Sequence, residues 1–189
     1  MNDYFTYIHP LCPFPHEPTF RDAFKRREDC NSGSYLALLA AMIGVLVASF
    51  PRKPRLHLKM LGKEHLFPTH MSLVAKCQQV CSFARGPGYL ERDDLNVYDA
   101  ATSYLLGLVS GYTYKWRQLR LYFGECLTII KSLGLHRSRE SMAQNHAELS
   151  SEMAKMVAQI SESMNVTQTD NITREMGRRI FWTAFVSVR

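Results

Sequence analysis

The chain has 189 residues, 46% of them hydrophobic and 21% charged, which argues against a disordered tail and leaves room for one domain with a real core or two very small ones. The net charge is +6, yet the basic residues are scattered: Lys25-Arg26-Arg27 runs straight into Glu28 and Asp29, and Arg52, Lys53, Arg55, His57 and Lys59 fall in a proline-rich link, so both groups read as solvated surface. Five cysteines (Cys12, Cys30, Cys77, Cys81 and Cys126), odd in number and widely spaced, argue against a disulfide framework; with no signal-peptide pattern at the start, the expectation is an intracellular, reducing setting.

Prolines crowd "YIHPLCPFPHEPTF", which predicts an extended, irregular lead-in. Thr19 can cap a short helix that carries Phe20, Ala23 and Phe24 on one face. Ser34 can cap the apolar run from Tyr35 to Phe50, which is too short for a membrane span and is closed by Pro51; a buried core helix is the reading. A loop holding Pro51 and Pro54 follows. Leu73, Cys77, Val80, Cys81 and Ala84 then recur at helical spacing, and Gly86-Pro87-Gly88 ends that helix. Asp93 or Asp94 can cap the next, with Val97, Ala101, Tyr104, Leu105 and Leu108 inward and Gly111 as its break. Trp116, Leu119, Phe123, Cys126, Leu127, Ile130 and Leu133 form another stripe, ended by Gly134.

Residues 138–170 are a polar insert whose middle places Leu149, Met153, Met156, Val157, Ile160 and Met164 at the spacing of an amphipathic helix. The last helix begins near Asp170 or Asn171. Glu175 precedes Arg178 and Arg179 by three and four residues, both favourable helical pairs near the positive end of the helix. Gly177, Phe181, Ala184, Phe185 and Val188 share a face, Gly177 lets a neighbouring helix come close, and Trp182 is expected to anchor the helix in the core. No strand pattern, internal repeat or phosphate-binding loop emerges, so the fold class is all-α, with roughly six to eight helices at ordinary helix length.

Chemistry-bearing patterns are scarce. Cys77 and Cys81 stand one turn apart, but His65 and His70 add no zinc spacing, and small buried thiols are the simpler reading. His136 near a helix end suits free carbonyls, and no catalytic set stands out. Neither a catalytic residue nor a metal or cofactor ligand is assigned. An effector pocket between helices, lined by Met42, Tyr104, Trp116 and Phe123, is set against the alternative that these are plain core residues.

Three segments carry more information together than any one alone. They are "HEPTF" with His16, Pro18 and Phe20; "GECLTIIKSLGLHR" with Gly124, Leu133, Gly134, Leu135, His136 and Arg137; and "EMGRRIFW" with Glu175, Arg178, Arg179, Phe181 and Trp182. In this order the chain resembles the regulatory middle homology domain of fungal zinc-cluster transcription factors over nearly its whole length. Cys126 and Ile130 stand where that family usually has alanine, and Gly177 replaces a commonly charged position.

The resemblance implies an all-helical module spanning residues 1–189, incomplete at its C-terminal side, in a nuclear, non-enzymatic regulator of RNA polymerase II transcription. It implies contact with the transcription machinery or co-regulator proteins and a small-molecule inducer; separately, the apolar side chains of the final helix that lack cover favour self-association. DNA would be read only through a zinc cluster that these cysteines do not form, so no cofactor is expected in this chain and no membrane partner. The alternatives are a helical interaction scaffold that does not bind DNA, a remnant of such a factor, and, with least support, a small helical enzyme.

Overall fold

The computed structural model describes residues 1–136 and 171–188, and every regular element among them is helical. The elements are α1 (Asn2–Tyr7), α2 (Glu17–Lys25), α3 (Glu28–Asn31), α4 (Gly33–Ser49), α5 (Arg52–Met60), α6 (His70–Arg85), α7 (Val97–Tyr112), α8 (Trp116–Ser132) and α9 (Asn171–Val188). Single 3-10 turns lie at Glu64–Leu66 and Tyr89–Glu91. The nine α-helices of the described residues exceed the expected number because α1, α3 and α5 are short pieces with little periodicity to detect. The amphipathic stretch expected within 138–170 and the motif residue Arg137 lie outside the described residues.

Two helices are apolar all round and therefore sit inside. α4 buries Tyr35, Ala37, Leu38, Ala40, Ala41, Met42, Val45 and Val47, and α7 buries residues on every side from Val97 to Ser110. They pack on each other; α6 covers α4, α8 covers α7, and α9 lies against α8 and α7. α7 and α8 form a hairpin across Thr113–Lys115, where Tyr114 takes a left-handed φ of 59°. A close approach at Gly107 sets their spacing: a Cβ there would lie 2.5 Å from the Phe123 ring.

The proline-rich lead-in is irregular from Ile8 to Pro15, but α1 precedes it. Two buried hydroxyls hold this region to the core: Tyr4 OH donates to the Phe14 carbonyl at 2.9 Å, and Tyr35 OH donates to the Phe20 carbonyl at 2.8 Å. Phe14 is buried edge-on to Tyr104, and Phe20 stacks on Tyr35. Phe24, expected on the same inner face, is exposed, because α2 turns inward through Phe20 and Ala23.

Several caps differ from expectation. Ser32, not Ser34, caps α4 by accepting from Tyr35 N, and Asn96, not Asp93 or Asp94, caps α7 with Asp99 completing a capping box. His16 stands at the N-cap of α2, and Thr19 lies within its first turn, bonded to His16 Nδ1 at 2.9 Å. The link with Pro51 and Pro54 is helical, because both prolines fall at the N-cap and first turn of α5, where no amide donor is required. Gly86 and Gly134 end α6 and α8 with left-handed φ values of 74° and 67°, where their sequence positions placed the stops.

Trp182 requires a correction. It is 58% exposed, and the buried face of α9 is Met176, Gly177, Ile180 and Ala184. Trp182 instead meets the half-buried Phe181 and Phe185 edge-on at 5.5 and 5.9 Å, outside the buried face of the helix.

Candidate functional site

The three motif segments meet at one junction. The second motif ends α8, and the left-handed Gly134 turns Leu135 inward onto α9. Leu135 rests on Gly177: a Cβ at that glycine would lie 2.6 Å from Leu135 Cβ, so any side chain there displaces the loop. The His136 ring faces Phe181 at 5.7 Å, and Leu133 is partly buried against the core. Gly124 has nothing near its missing Cβ, so it is not a packing glycine.

The third motif also reaches the first. Glu175 Oε1 accepts from Arg179 Nε at 3.0 Å, and Arg178 lies 3.8 Å from the same carboxylate. These side chains are about half exposed, so each pair contributes only ~0.3–0.5 kcal/mol. Arg179 Nη1 extends to the Pro13 carbonyl at 3.5 Å, tying α9 to the lead-in. Between them lies an open groove of about 280 Å³, lined by Pro13, His16, Ile172, Glu175, Met176 and Arg179. Its walls are apolar, and an imidazole, a carboxylate and a guanidinium line it too. That donor set suits a small organic molecule with one or two polar groups, at the lower end of ligand-site volumes. Pro18 and Phe20 serve structure instead: Pro18 sits in the first turn of α2, and Phe20 is core.

The four residues expected to line an inter-helical pocket are not brought together as a cavity. Met42, Tyr104 and Phe123 are buried, with Tyr104 and Phe123 stacked at 5.0 Å, whereas Trp116 is 59% exposed on the first turn of α8. Burial pushes the Tyr104 hydroxyl well above its ordinary range, and the group bonds Ser187 Oγ at 3.3 Å.

Sequence reasoning missed a buried polar network between α4, α6, α7 and α8. Arg85, at the end of α6, donates through Nη1 to Tyr89 OH and Glu125 Oε1, both at 2.9 Å. Its Nη2 donates to the Asp99 carbonyl at 2.6 Å and to Ser103 Oγ at 2.8 Å. The guanidinium also lies 4.5 Å from the Tyr89 ring centroid. Ser34 Oγ donates to Asp99 Oδ2 at 3.0 Å, joining α4 to α7. The available signal was register: Cys77, Cys81 and Arg85 follow at four-residue steps, which places a cation on a buried face. The two thiols are buried beside α4. Cys81 Sγ bonds the Ala37 carbonyl at 3.3 Å, and burial pushes Cys77 up to about 11 and Cys81 up to about 12.

The described residues thus form an all-helical domain in which the motif segments come together against α9. The family model described as the fungal specific transcription factor domain matches residues 1–187, and the chain belongs to that family. Comparisons with curated proteins and with solved structures give no match. No helix among the described residues is long and apolar enough to cross a membrane.

Proposed function

We propose that the chain is the regulatory module of a nuclear transcription factor, controlling activation of RNA polymerase II transcription, with the groove between the lead-in and α9 as the place where a small metabolite acts. The observation that carries this reading is the convergence of His16, Glu175 and Arg179, from two separate motif segments, on one groove in a chain of this family. One wall belongs to the lead-in and the other to α9, so an occupant would grip both. Transcription machinery or co-regulator proteins would receive the output, and DNA contact would come through a zinc cluster outside this chain.

A reporter assay tests the proposal. Residues 1–189 are placed between a DNA-binding module and an activation segment in fungal cells, beside a fusion lacking them. Reporter output should differ between the two fusions, and a His16→Ala/Arg179→Ala variant should shift it again. Equal output with and without the chain would overturn the regulatory reading. An output changed by the chain but untouched by the double variant would remove the groove from it.

A second reading, an interaction scaffold, draws on the exposed Trp182 indole of α9, flanked by the half-buried Phe181 and Phe185. Self-association through this face would make the chain's elution volume concentration-dependent, and Trp182→Glu would abolish that dependence.

A further inference from the structure

The first turns of α8 break several local rules at once. A helix start favours acids and a side-chain cap, yet α8 has no acid in its first turn, and its N-cap, Lys115, makes no capping bond. Arg117 and Arg120 follow, and Lys115, Arg117 and Arg120 form no ion pair among the described residues, whereas Arg21, Arg85, Arg92 and Arg179 each face a carboxylate. The same surface exposes large apolar groups: Tyr114 is 81% exposed, Trp116 59% and Leu121 63%. Trp116, Arg117, Arg120 and Leu121 are neighbours on one helical stripe and line a surface concavity of about 410 Å³. Tyr114 extends it, with its ring 6.3 Å from that of Trp116.

We infer that this patch is a docking surface for an acidic peptide segment of a partner protein, one that carries aromatic or aliphatic side chains between its carboxylates. Charge complementarity selects the occupant. Among the described residues these cations have no acid partner, and the guanidinium groups of Arg117 and Arg120 favour carboxylates in paired geometry. The rings and Leu121 give an apolar side chain a place between those cations, which a purely polyanionic partner would not use. The stripe from Trp116 to Leu121 spans only about 7.5 Å along the helix axis. That length matches a short peptide anchored by a few side chains, and it is short for tracking a duplex phosphate backbone. This surface is separate from the α9 groove, and it stands or falls independently of the metabolite proposal.

The chain's two tryptophans make the test direct. In a Trp182→Phe background, Trp116 is the sole tryptophan, and its emission reports on the patch. The probe is a synthetic peptide of about ten residues in which Asp pairs alternate with Phe and Leu. Controls are the same peptide with Asn for Asp, and duplex and single-stranded oligonucleotides. The acidic peptide should shift Trp116 emission saturably, and Arg117→Glu/Arg120→Glu should weaken binding at least about tenfold while leaving the circular-dichroism melt unchanged. Trp116→Ala, followed with a labelled peptide, should weaken it similarly. Equal binding of the neutral peptide, an unaltered affinity in the Arg117→Glu/Arg120→Glu protein, or tighter binding of either oligonucleotide would overturn the inference.

Discussion

Removing Arg85 should be among the most damaging single changes in the described part of the chain. The side chain is almost wholly buried and supplies hydrogen bonds to Tyr89, Glu125, Ser103 and the Asp99 carbonyl. Alanine would leave the Glu125 carboxylate, whose side chain is 20% exposed, with only the neutral hydroxyls of Ser103 and Tyr89 in this network. Breaking a buried ion pair from one side costs about 3–5 kcal/mol, and the partial exposure of Glu125 places this case toward the lower end. Domain stabilities are ~5–15 kcal/mol, so Arg85→Ala should lower the urea midpoint by roughly 1–3 M, given slopes of 1–3 kcal/mol per molar urea. The decisive assay is a double-mutant cycle with Arg85→Met and Glu125→Gln. Taking away both charges removes the stranded partner, so the double variant should lose clearly less than the sum of the single losses. An Arg85→Ala loss below about 1 kcal/mol, or strict additivity in the cycle, would refute the view that the pair is coupled and buried.

Gly177→Val should destabilise the domain by about 1–3 kcal/mol, because Leu135 occupies the space of the new side chain; Leu135→Ala should relieve part of that loss in urea melts. Trp182→Ala should cost less than about 1 kcal/mol, since the indole is mostly outside the core; a loss of 3 kcal/mol or more, the range of buried aromatics at roughly 3–5, would contradict the observed exposure. Stability should fall at alkaline pH: burial raises the thiols of Cys77 to about 11 and of Cys81 and Cys126 to about 12, so their contribution is full below the unfolded value near 9 and is lost as pH rises through the folded values. The slope approaches ~1.4 kcal/mol per pH unit for each thiol, and urea midpoints independent of pH above that point would refute it.

Periodicity made most of the helical order legible. The inward set of α7, the glycine stops after α6 and α8, and the start of α9 all follow from spacing and from residues that tolerate positive φ. Proline misled at α5, because its effect depends on position: the same residue that breaks a helix interior is neutral in the first turn. Caps slipped by a few residues because tertiary partners claimed the alternatives. Ser34 was a plausible cap, but its hydroxyl serves Asp99 across a separation of 65 residues, which no local pattern reveals. Trp116 and Trp182 lay on or beside apolar stripes, yet periodicity does not say where a neighbouring helix ends. It is Leu119, one turn beyond Trp116, whose side chain lies against Gly111 of α7. The groove escaped notice because its residues lie more than 150 positions apart in sequence, from His16 to Asn171 and beyond, and only the fold brings them together.

The placement of α9 favours the proposed groove over the core between α7 and α8 as a control point. α7 and α8 are locked by interdigitation at Gly107 and Phe123, so neither could shift without breaking close contacts. α9 is held differently, by a narrow strip of Met176, Gly177, Ile180 and Ala184, by Leu135 seated on Gly177, and by the long Arg179 Nη1 contact to the Pro13 carbonyl. A ligand in the groove would touch the lead-in on one side and α9 on the other, so it would favour the docked arrangement over any in which α9 moves away. That difference in affinity between arrangements is what a ligand needs in order to shift an equilibrium; tight binding to both would change nothing. The sign follows as well. An occupant would raise the melting temperature with its concentration, by an amount equivalent to about 2.7 kcal/mol at a hundredfold excess over its Kd. Loosening the strip with Ile180→Ala would weaken its binding even though Ile180 does not line the groove.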